Sequence, residues 1–281
     1  MANLSELKNE LRSTKDIGKI TGAMELVATA KLKKISKRLG NIQSYLNDVY
    51  EIFNYIITHT NDSKYMKKKG KEPDNILWIV IGSNLGLCGG YNSNIIKLVK
   101  KHVSKNDLII PIGTKVLNFA KFNNYNIYKS LTNIDVDFSN EQSRELSIWL
   151  LENYLKNEFG AIRIIYTKFI NNVTFDATVL NMLPIEVPKD DKDHDDLTLE
   201  PNAEIVLQTS VSMYLNTILF GTIIESQVSE QASRRMAMES ATKNGKEIAE
   251  KLGILYNRKR QEGITQEISE IVGGANAQSS D

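Results

Sequence analysis

The sequence predicts an α/β domain carried between two long helices that pair as an antiparallel coiled coil. Three observations point there. No proline occurs before Pro73 or after Pro201. Both proline-free ends repeat apolar residues at spacings of three and four, the period of one helix face. Between them, short apolar runs alternate with helical stretches, the pattern of a layered α/β unit.

The first helix is expected over 1–60. Its apolar stripe runs through Leu4, Leu7, Leu11, Ile17, Ile20, Met24 and Val27, with a skipped turn near Thr14, and continues through Ile35, Leu39, Ile42, Leu46, Val49, Phe53 and Ile56. Asn3 or Ser5 can cap its start. At ~1.5 Å per residue such a helix is ~80 Å long. The last helix is expected over 202–276 and is ~105 Å long on the same rise. Its stripe takes in Val206, Val211, Leu215, Ile218, Phe220, Ile224, Val228, Ala232, Met236, Ala241, Ile248, Leu252, Leu255, Ile264, Ile268 and Ile271. Two such stripes most simply bury each other. Gly18, Gly22, Ala23, Ala28 and Ala30 are small enough for close approach, and the interruptions predict an irregular coil.

The central domain is expected over 75–187. Asn75 to Ile81 and Leu108 to Ile112 read as buried strands, Asn126 to Ser130 as a short one, and Ala161 to Phe169 as another. Val173 to Leu183 alternates polar and apolar and suits a strand returning antiparallel across Asn171 and Asn172. Helices are expected over Asn94–His102, Thr114–Phe122 and Gln142–Phe159. This alternation is that of a three-layer, Rossmann-like domain. The segment 188–201 is acidic, bounded by prolines and poor in apolar residues, so it reads as an exposed connector.

Composition narrows function by exclusion. The 281 residues carry a net charge of +1, with 25% charged and 41% hydrophobic residues, which is the balance of a soluble protein without general affinity for nucleic acid. Basic clusters at 31–38 and 64–71 and an acidic one at 190–196 read as solvated faces or docking surfaces. The single cysteine, Cys88, leaves no intramolecular disulfide and suits a reducing, cytoplasmic compartment. The three histidines, His59, His102 and His194, are too scattered to suggest a metal site. No apolar run has the length of a membrane span.

The one glycine-rich stretch, Gly82 to Gly90, follows an expected strand and precedes an expected helix, where a phosphate-cradling loop would stand. It lacks the Lys-Ser or Lys-Thr of a P-loop and the Gly-x-Gly-x-x-Gly of a dinucleotide site, so a tight, closely packed turn is the better reading. Cys88 reads as a small buried residue rather than a nucleophile. No cofactor, no metal and no catalytic residues are expected.

Five segments carry a specific resemblance. Ile17 to Leu32 is similar to the first helix of the gamma subunit of F-type ATP synthases. Ser229 to Asn244 resembles that family's signature, as do Tyr256 to Gln261 and Ile264 to Gly274, and Gly86-Leu-Cys-Gly-Gly-Tyr-Asn92 matches its glycine-cysteine motif. The resemblance spans the chain in order. It implies a non-catalytic rotor shaft turning within a ring of alpha and beta subunits, on a base shared with the epsilon subunit and the c-ring. The whole would be peripheral to the inner face of the cell membrane. It implies that Met24, Arg235, Arg260, Gln261 and Thr265 face the catalytic subunits, and that Gly86, Leu87, Cys88, Gly89 and Gly90 form a rotor-base motif. The family usually carries Asp-Arg before those glycines; here the pair is Asn84-Leu85. Two lost charges leave open a shaft of an F-type-like ATPase motor without a standard c-ring. Readings from other classes are an α/β nucleotide-binding enzyme using the Gly82–Gly90 loop and a free-standing coiled-coil adaptor.

Overall fold

The computed structural model describes residues 4–60, 64–66, 75–132, 134, 138–186, 199–200 and 202–278. Of the expected acidic connector only Leu199 and Glu200 fall among them, and of the basic cluster at 64–71 only the residues up to Met66. The chain divides into two compact units, one of Ala28–Arg234 and one of Met1–Val27 with Arg235–Asp281. The two long helices, α1 (Leu4–Thr58) and α5 (Ala203–Gln278), each contribute to both units.

The larger unit is built on five strands: β1 (Ile76–Ile81), β2 (Leu108–Ile112), β3 (Asn126–Ile127), β4 (Ala161–Phe169) and β5 (Phe175–Leu183). Their order across the sheet is β3-β2-β1-β4-β5. The first four run parallel, and β5 returns antiparallel to β4. β1 is covered on both faces, which is why it reads as a continuous apolar run rather than an alternating one. Trp78 and Val80 point to α2 (Tyr91–His102) and α3 (Thr114–Phe122), where Ile95, Val99, Val116 and Ala120 meet them.

Leu77, Ile79 and Ile81 point the other way, toward α4 (Asn140–Leu155) and the inner stretches of α1 and α5. Ile35, Phe53 and Ile57 of α1 and Leu215, Leu219 and Ile223 of α5 belong to this core, and Phe53 stacks on Tyr214 with ring centroids 3.7 Å apart. The third layer is therefore made largely by the long helices themselves, which ties the sheet into the coil. α4 begins at Asn140 rather than the expected Gln142. Ser139 and Gln142 form a reciprocal capping box that satisfies two backbone N–H groups at its start.

Along α1 the packed positions are Leu7, Leu11, Thr14, Gly18, Thr21, Glu25, Ala28, Leu32, Ile35, Leu39, Ile42, Leu46, Val49, Phe53 and Ile56, alternately four and three apart without a break. The expected skipped turn near Thr14 is absent: the heptad is regular, but its seam turns small and polar there. Ile17, Ile20, Met24 and Val27 each precede a seam position by one residue and are 40–58% exposed. Ala23 and Ala30 are exposed as well.

In the smaller unit the facing positions of α5 are Met238, Thr242, Gly245, Ala249, Leu252 and Tyr256, whereas Ile248 and Leu255, expected on the seam, are each 49% exposed. Close approach explains the difference. A Cβ on Gly245 would lie 3.8 Å from the Gly18 Cα, so the backbones nearly touch. There the Thr242 hydroxyl donates to Thr21 Oγ1 (2.9 Å), whose own hydroxyl donates to the Gly18 carbonyl (3.2 Å). Small residues and a hydroxyl pair hold the helices where large apolar side chains would force them apart. Counting outward from the Gly18–Gly245 contact, α1 begins level with about residue 259 of α5. Residues 257–275 are all exposed.

Candidate functional site

The expected site residues form two groups. Met24, Arg235, Arg260, Gln261 and Thr265 all belong to the smaller unit. Met24 is 40% exposed on α1. Arg235 is half-buried on the α5 seam, 3.8 Å from Glu239 one turn on. Arg260 and Gln261 are exposed, as is Thr265, whose hydroxyl donates to the Gln261 carbonyl (2.9 Å). Arg235 and Arg260 are 25 residues apart on one helix, ~38 Å at ~1.5 Å per residue. The structure therefore strings these residues along the coil and does not gather them into one patch.

The second group, Gly86 to Gly90, lies in the larger unit, in the loop 82–90 that leaves the carboxyl end of β1. In this strand order the sheet reverses direction of build between β1 and β4, and the crevice there is the usual ligand site of a doubly wound sheet. Here α5 fills it. Beyond Ile165, β4 outruns its pairing with β1, and Thr167 has no strand on that side. Its N–H donates to Ser226 Oγ (3.1 Å) and its carbonyl accepts from Ser229 Oγ (3.2 Å), so two serines one turn apart stand in for the missing strand. Ser226 Oγ also lies 3.0 Å from the Tyr91 hydroxyl. Burial, with the Glu230 carboxylate adding to it, pushes that phenol far above its ordinary pKa, so Tyr91 stays protonated and neutral.

One turn further on, Ser233 donates to the Cys88 carbonyl (2.7 Å), and Arg234 donates to the carbonyls of Leu85 (3.1 Å) and Gly86 (3.4 Å) while pairing with Glu230 at 2.6 Å. Within the loop, Asn92 accepts the Ser83 N–H (3.1 Å) and donates to Ser83 Oγ (2.7 Å) and the Cys88 sulfur (3.1 Å). Cys88 is 2% exposed and serves as packing, as its residue type suggests.

What remains open beside the loop is a cavity of about 100 Å³ lined by Lys31, Tyr91, Gln231 and Arg234 among others. Small-molecule sites usually measure ~300 Å³ or more, so this space suits a few waters and not a nucleotide. Replacing Ser229 by alanine would leave the buried Thr167 carbonyl without its donor, which costs ~1–3 kcal/mol. We expect chemical denaturation of a Ser229→Ala chain to show that loss. A change under ~0.5 kcal/mol would mean water replaces the hydroxyl.

The Asn84-Leu85 pair has a structural reason on its first half. Asn84 Oδ1 accepts both the N–H (3.1 Å) and the hydroxyl (3.2 Å) of Thr114 at the start of α3, and its amide donates to the Ile134 carbonyl (3.1 Å). A carboxylate could cap the helix but could not make the last bond, since it has no donor. Sequence reasoning did not single out Arg234, Glu230, Ser226, Ser233 or Asn92 as the residues that hold the loop. The contacts of Ser226 with Tyr91, of Ser233 and of Arg234 join positions more than a hundred residues apart and leave no local pattern, and Asn92 is an ordinary polar residue until the loop is seen to fold back on it.

A sheet wrapped by the inner stretches of two long antiparallel helices defines the fold class, an architecture also seen in solved structures of rotary assemblies. The fold matches a chain of the Euglena gracilis mitochondrial ATP synthase OSCP/F1/c-ring structure with a TM-score of 0.72 at 18% identity, over 98% of this chain and 94% of that one. It also matches a chain of the Tetrahymena thermophila central stalk/c-ring structure with a TM-score of 0.60 at 22% identity, over 79% and 99%. At those identities the likeness is one of fold.

Sequence goes further. The family model described as ATP synthase matches residues 3–278. The ATP synthase gamma chain of Mesoplasma florum is 51% identical over 278 residues, 99% of each chain. That of Mycoplasma capricolum is 49% identical over 99% of this chain and 100% of its own, and that of Ureaplasma parvum 38% over 97% and 99%. The chain belongs to the ATP synthase gamma-chain family, and its part is that of the rotor shaft.

Proposed function

We propose that this shaft turns inside a ring of alternating alpha and beta subunits and takes no part in the bond chemistry, which the beta subunits perform. The observation that carries the reading is the end of α5. Over 257–275 every residue is exposed, and Ile264, Ile268, Ile271 and Val272 form a helical apolar stripe 45–71% exposed, which among the described residues of the smaller unit has no second helix level with it. An apolar helix end of this kind buries its stripe in a sleeve.

Met24, Arg235, Arg260, Gln261 and Thr265 are the positions through which the shaft meets the catalytic subunits at successive angles. Gly86, Leu87, Cys88, Gly89 and Gly90 belong to the rotor's lower part, which joins the epsilon subunit and the c-ring. The working parts are the helices 1–60 and 202–276, the sheet domain 75–187 and the connector 188–201. Among the described residues no helix is long and apolar enough to cross a membrane, so the chain reaches the inner face of the cell membrane through its partners. The motor without a c-ring was suggested by the uncharged Asn84-Leu85 pair. The internal bonds of Asn84 supply a different reason for that residue.

Arg260, Gln261 and Thr265 are exposed, so replacing all three by alanine is expected to leave the chain's own unfolding midpoint unchanged. In the assembled complex the same variant is expected to lower ATP-driven proton pumping at least tenfold. Pumping at the wild-type rate would remove these residues from the interface.

A further inference from the structure

β4 projects past its neighbour. Its pairing with β1 ends at Ile165, so from Tyr166 to Phe169 only β5 lies beside it. The β4–β5 hairpin then runs on to a tip where Ile170 is 56% and Val173 66% exposed. Backbone groups two residues apart on a strand face the same side. The open side of Thr167 is met by Ser226 and Ser229, and the open side of Phe169 by Glu225, whose carboxyl accepts the Phe169 N–H. The two serines are neutral. Glu225 can carry a charge, and it stands in a place poor for one.

That place is half-buried and walled by three elements. On β4, Tyr166 and Lys168 share the face turned to the long helices, and the Tyr166 hydroxyl donates to the carboxyl. On α1, Tyr50 feels the same carboxylate, and its ring lies edge-on to Tyr214 of α5 with centroids 5.6 Å apart. Burial, with the Glu225 charge adding to it, holds the Tyr50 and Tyr166 phenols above their ordinary range, so both stay neutral. The cation that faces the site, Lys168, is exposed, and Asp176 lies opposite that lysine on β5. Burial raises the Glu225 pKa by more than Lys168, the Phe169 N–H and the Tyr166 hydroxyl lower it.

We propose that Glu225 is a proton-operated clamp: protonated, it closes α5 on the projecting end of the β4–β5 hairpin, and charged, it lets that end loosen. The neutral acid keeps the contact, since its carbonyl oxygen still accepts the Phe169 N–H and its hydroxyl can donate to the Tyr166 oxygen. The carboxylate needs water, and water reaches it only where helix and hairpin part. A carboxyl whose pKa rises on burial adds its full share of stability below its ordinary value of about 4.3 and loses it as pH rises through the raised one. The hairpin end is therefore held most firmly on the acid side and less firmly as pH rises. The clamp lies wholly within the larger unit and works whatever the shaft turns within, so its failure leaves the rotor reading standing.

The test is native-state hydrogen exchange of the full chain, followed amide by amide from about pH 4.5 to about pH 8 and corrected for the intrinsic pH dependence of exchange. Opening at Thr167 and Phe169 is expected to become more frequent as pH rises, by up to about tenfold per pH unit, the limit for one proton, while the β1 amides keep their protection. Glu225→Gln has the shape of the protonated acid. It is expected to abolish the dependence and to keep the acid-side opening frequency at every pH. Lys168→Gln removes the cation that favours the charged form and is expected to move the dependence to higher pH.

Opening independent of pH in the wild type overturns the clamp. So does a dependence that survives Glu225→Gln, or one that Lys168→Gln leaves in place or moves down. If Glu225→Gln unfolds the hairpin outright, infrared spectroscopy of the wild-type chain, isotope-labelled at glutamate, decides instead. A protonated carboxyl band that persists above the range of ordinary glutamates supports the clamp, and its absence overturns it.

Discussion

A Gly113→Ala chain is expected to lose about 3 kcal/mol or more of the stability of the larger unit, the largest effect of any single methyl group we can place. Gly113 links β2 to α3 at φ +95°, where any side chain is strained. A Cβ there would lie 2.4 Å from the Gly82 carbonyl oxygen and 2.8 Å from its carbon. Both obstacles are backbone, so no rotamer change relieves them. Moving that backbone breaks the bonds that join the strand ends: Gly82 N–H to Ile112 (2.8 Å), Gly113 N–H to Leu131 (2.9 Å) and Lys115 N–H to Ser83 (3.0 Å). The same movement carries the loop that Arg234 and Ser233 hold. Denaturant unfolding of the full chain measures the loss. Gly90→Ala is the control, since its Cβ would meet only side-chain atoms of Asn94 and Ser93 at 3.7–3.8 Å. A Gly113→Ala loss below ~1 kcal/mol would show that the two strand ends yield more easily than their hydrogen bonds imply.

Where local rules and tertiary packing agree, the sequence is legible to the residue. β4 stands at Ala161–Phe169 and α3 at Thr114–Phe122, as their apolar periods and flanking turns predict. The antiparallel pairing of the long helices was readable for the same reason, because apolar stripes at both ends have to be covered. The seam of the smaller unit was not readable. A count of large apolar residues selects Ile17, Ile20, Met24 and Val27, but the helices approach through Gly18, Thr21 and Gly245. Small size and a shared hydroxyl bond do not register as hydrophobic periodicity. The loop at 82–90 was readable as a tight turn because its spacing fits no phosphate motif. Its support was not, since Ser226, Ser229 and Ser233 are ordinary helix-face serines until β4 is seen to outrun β1. The resemblance drew attention to Arg235, and the structure gives the loop-holding bonds to its neighbour Arg234.

The split between seam and stripe carries the second large effect. Replacing Ile17, Ile20, Met24 and Val27 together by glutamine is expected to leave the chain's own unfolding midpoint within ~1 kcal/mol, because these side chains are already 40–58% exposed and glutamine is a comparable helix former. The same variant is expected to bind a purified ring of alpha and beta subunits at least ~100-fold more weakly. Full burial of one such side chain is worth ~1.5–3 kcal/mol, and about half of that is still available at each of the four positions. A ~100-fold loss requires only ~2.7 kcal/mol in all, well inside that total even after the ordering costs of binding are taken off. The seam gives the opposite result one residue away. Thr21→Gln removes the hydroxyl that Thr242 bonds and pushes a longer side chain between backbones that nearly touch, so it lowers the chain's own stability before any partner is present. Titrating each variant against the ring, alongside its denaturation curve, separates the two faces. If the glutamine variant unfolds early, the stripe is part of the coil's own packing; if it binds the ring as the wild type does, the sleeve does not grip α1 at this level. The expected pattern, a stable chain that no longer seats, follows from a coil that spends its small residues on closing against itself and keeps its large apolar ones for the ring.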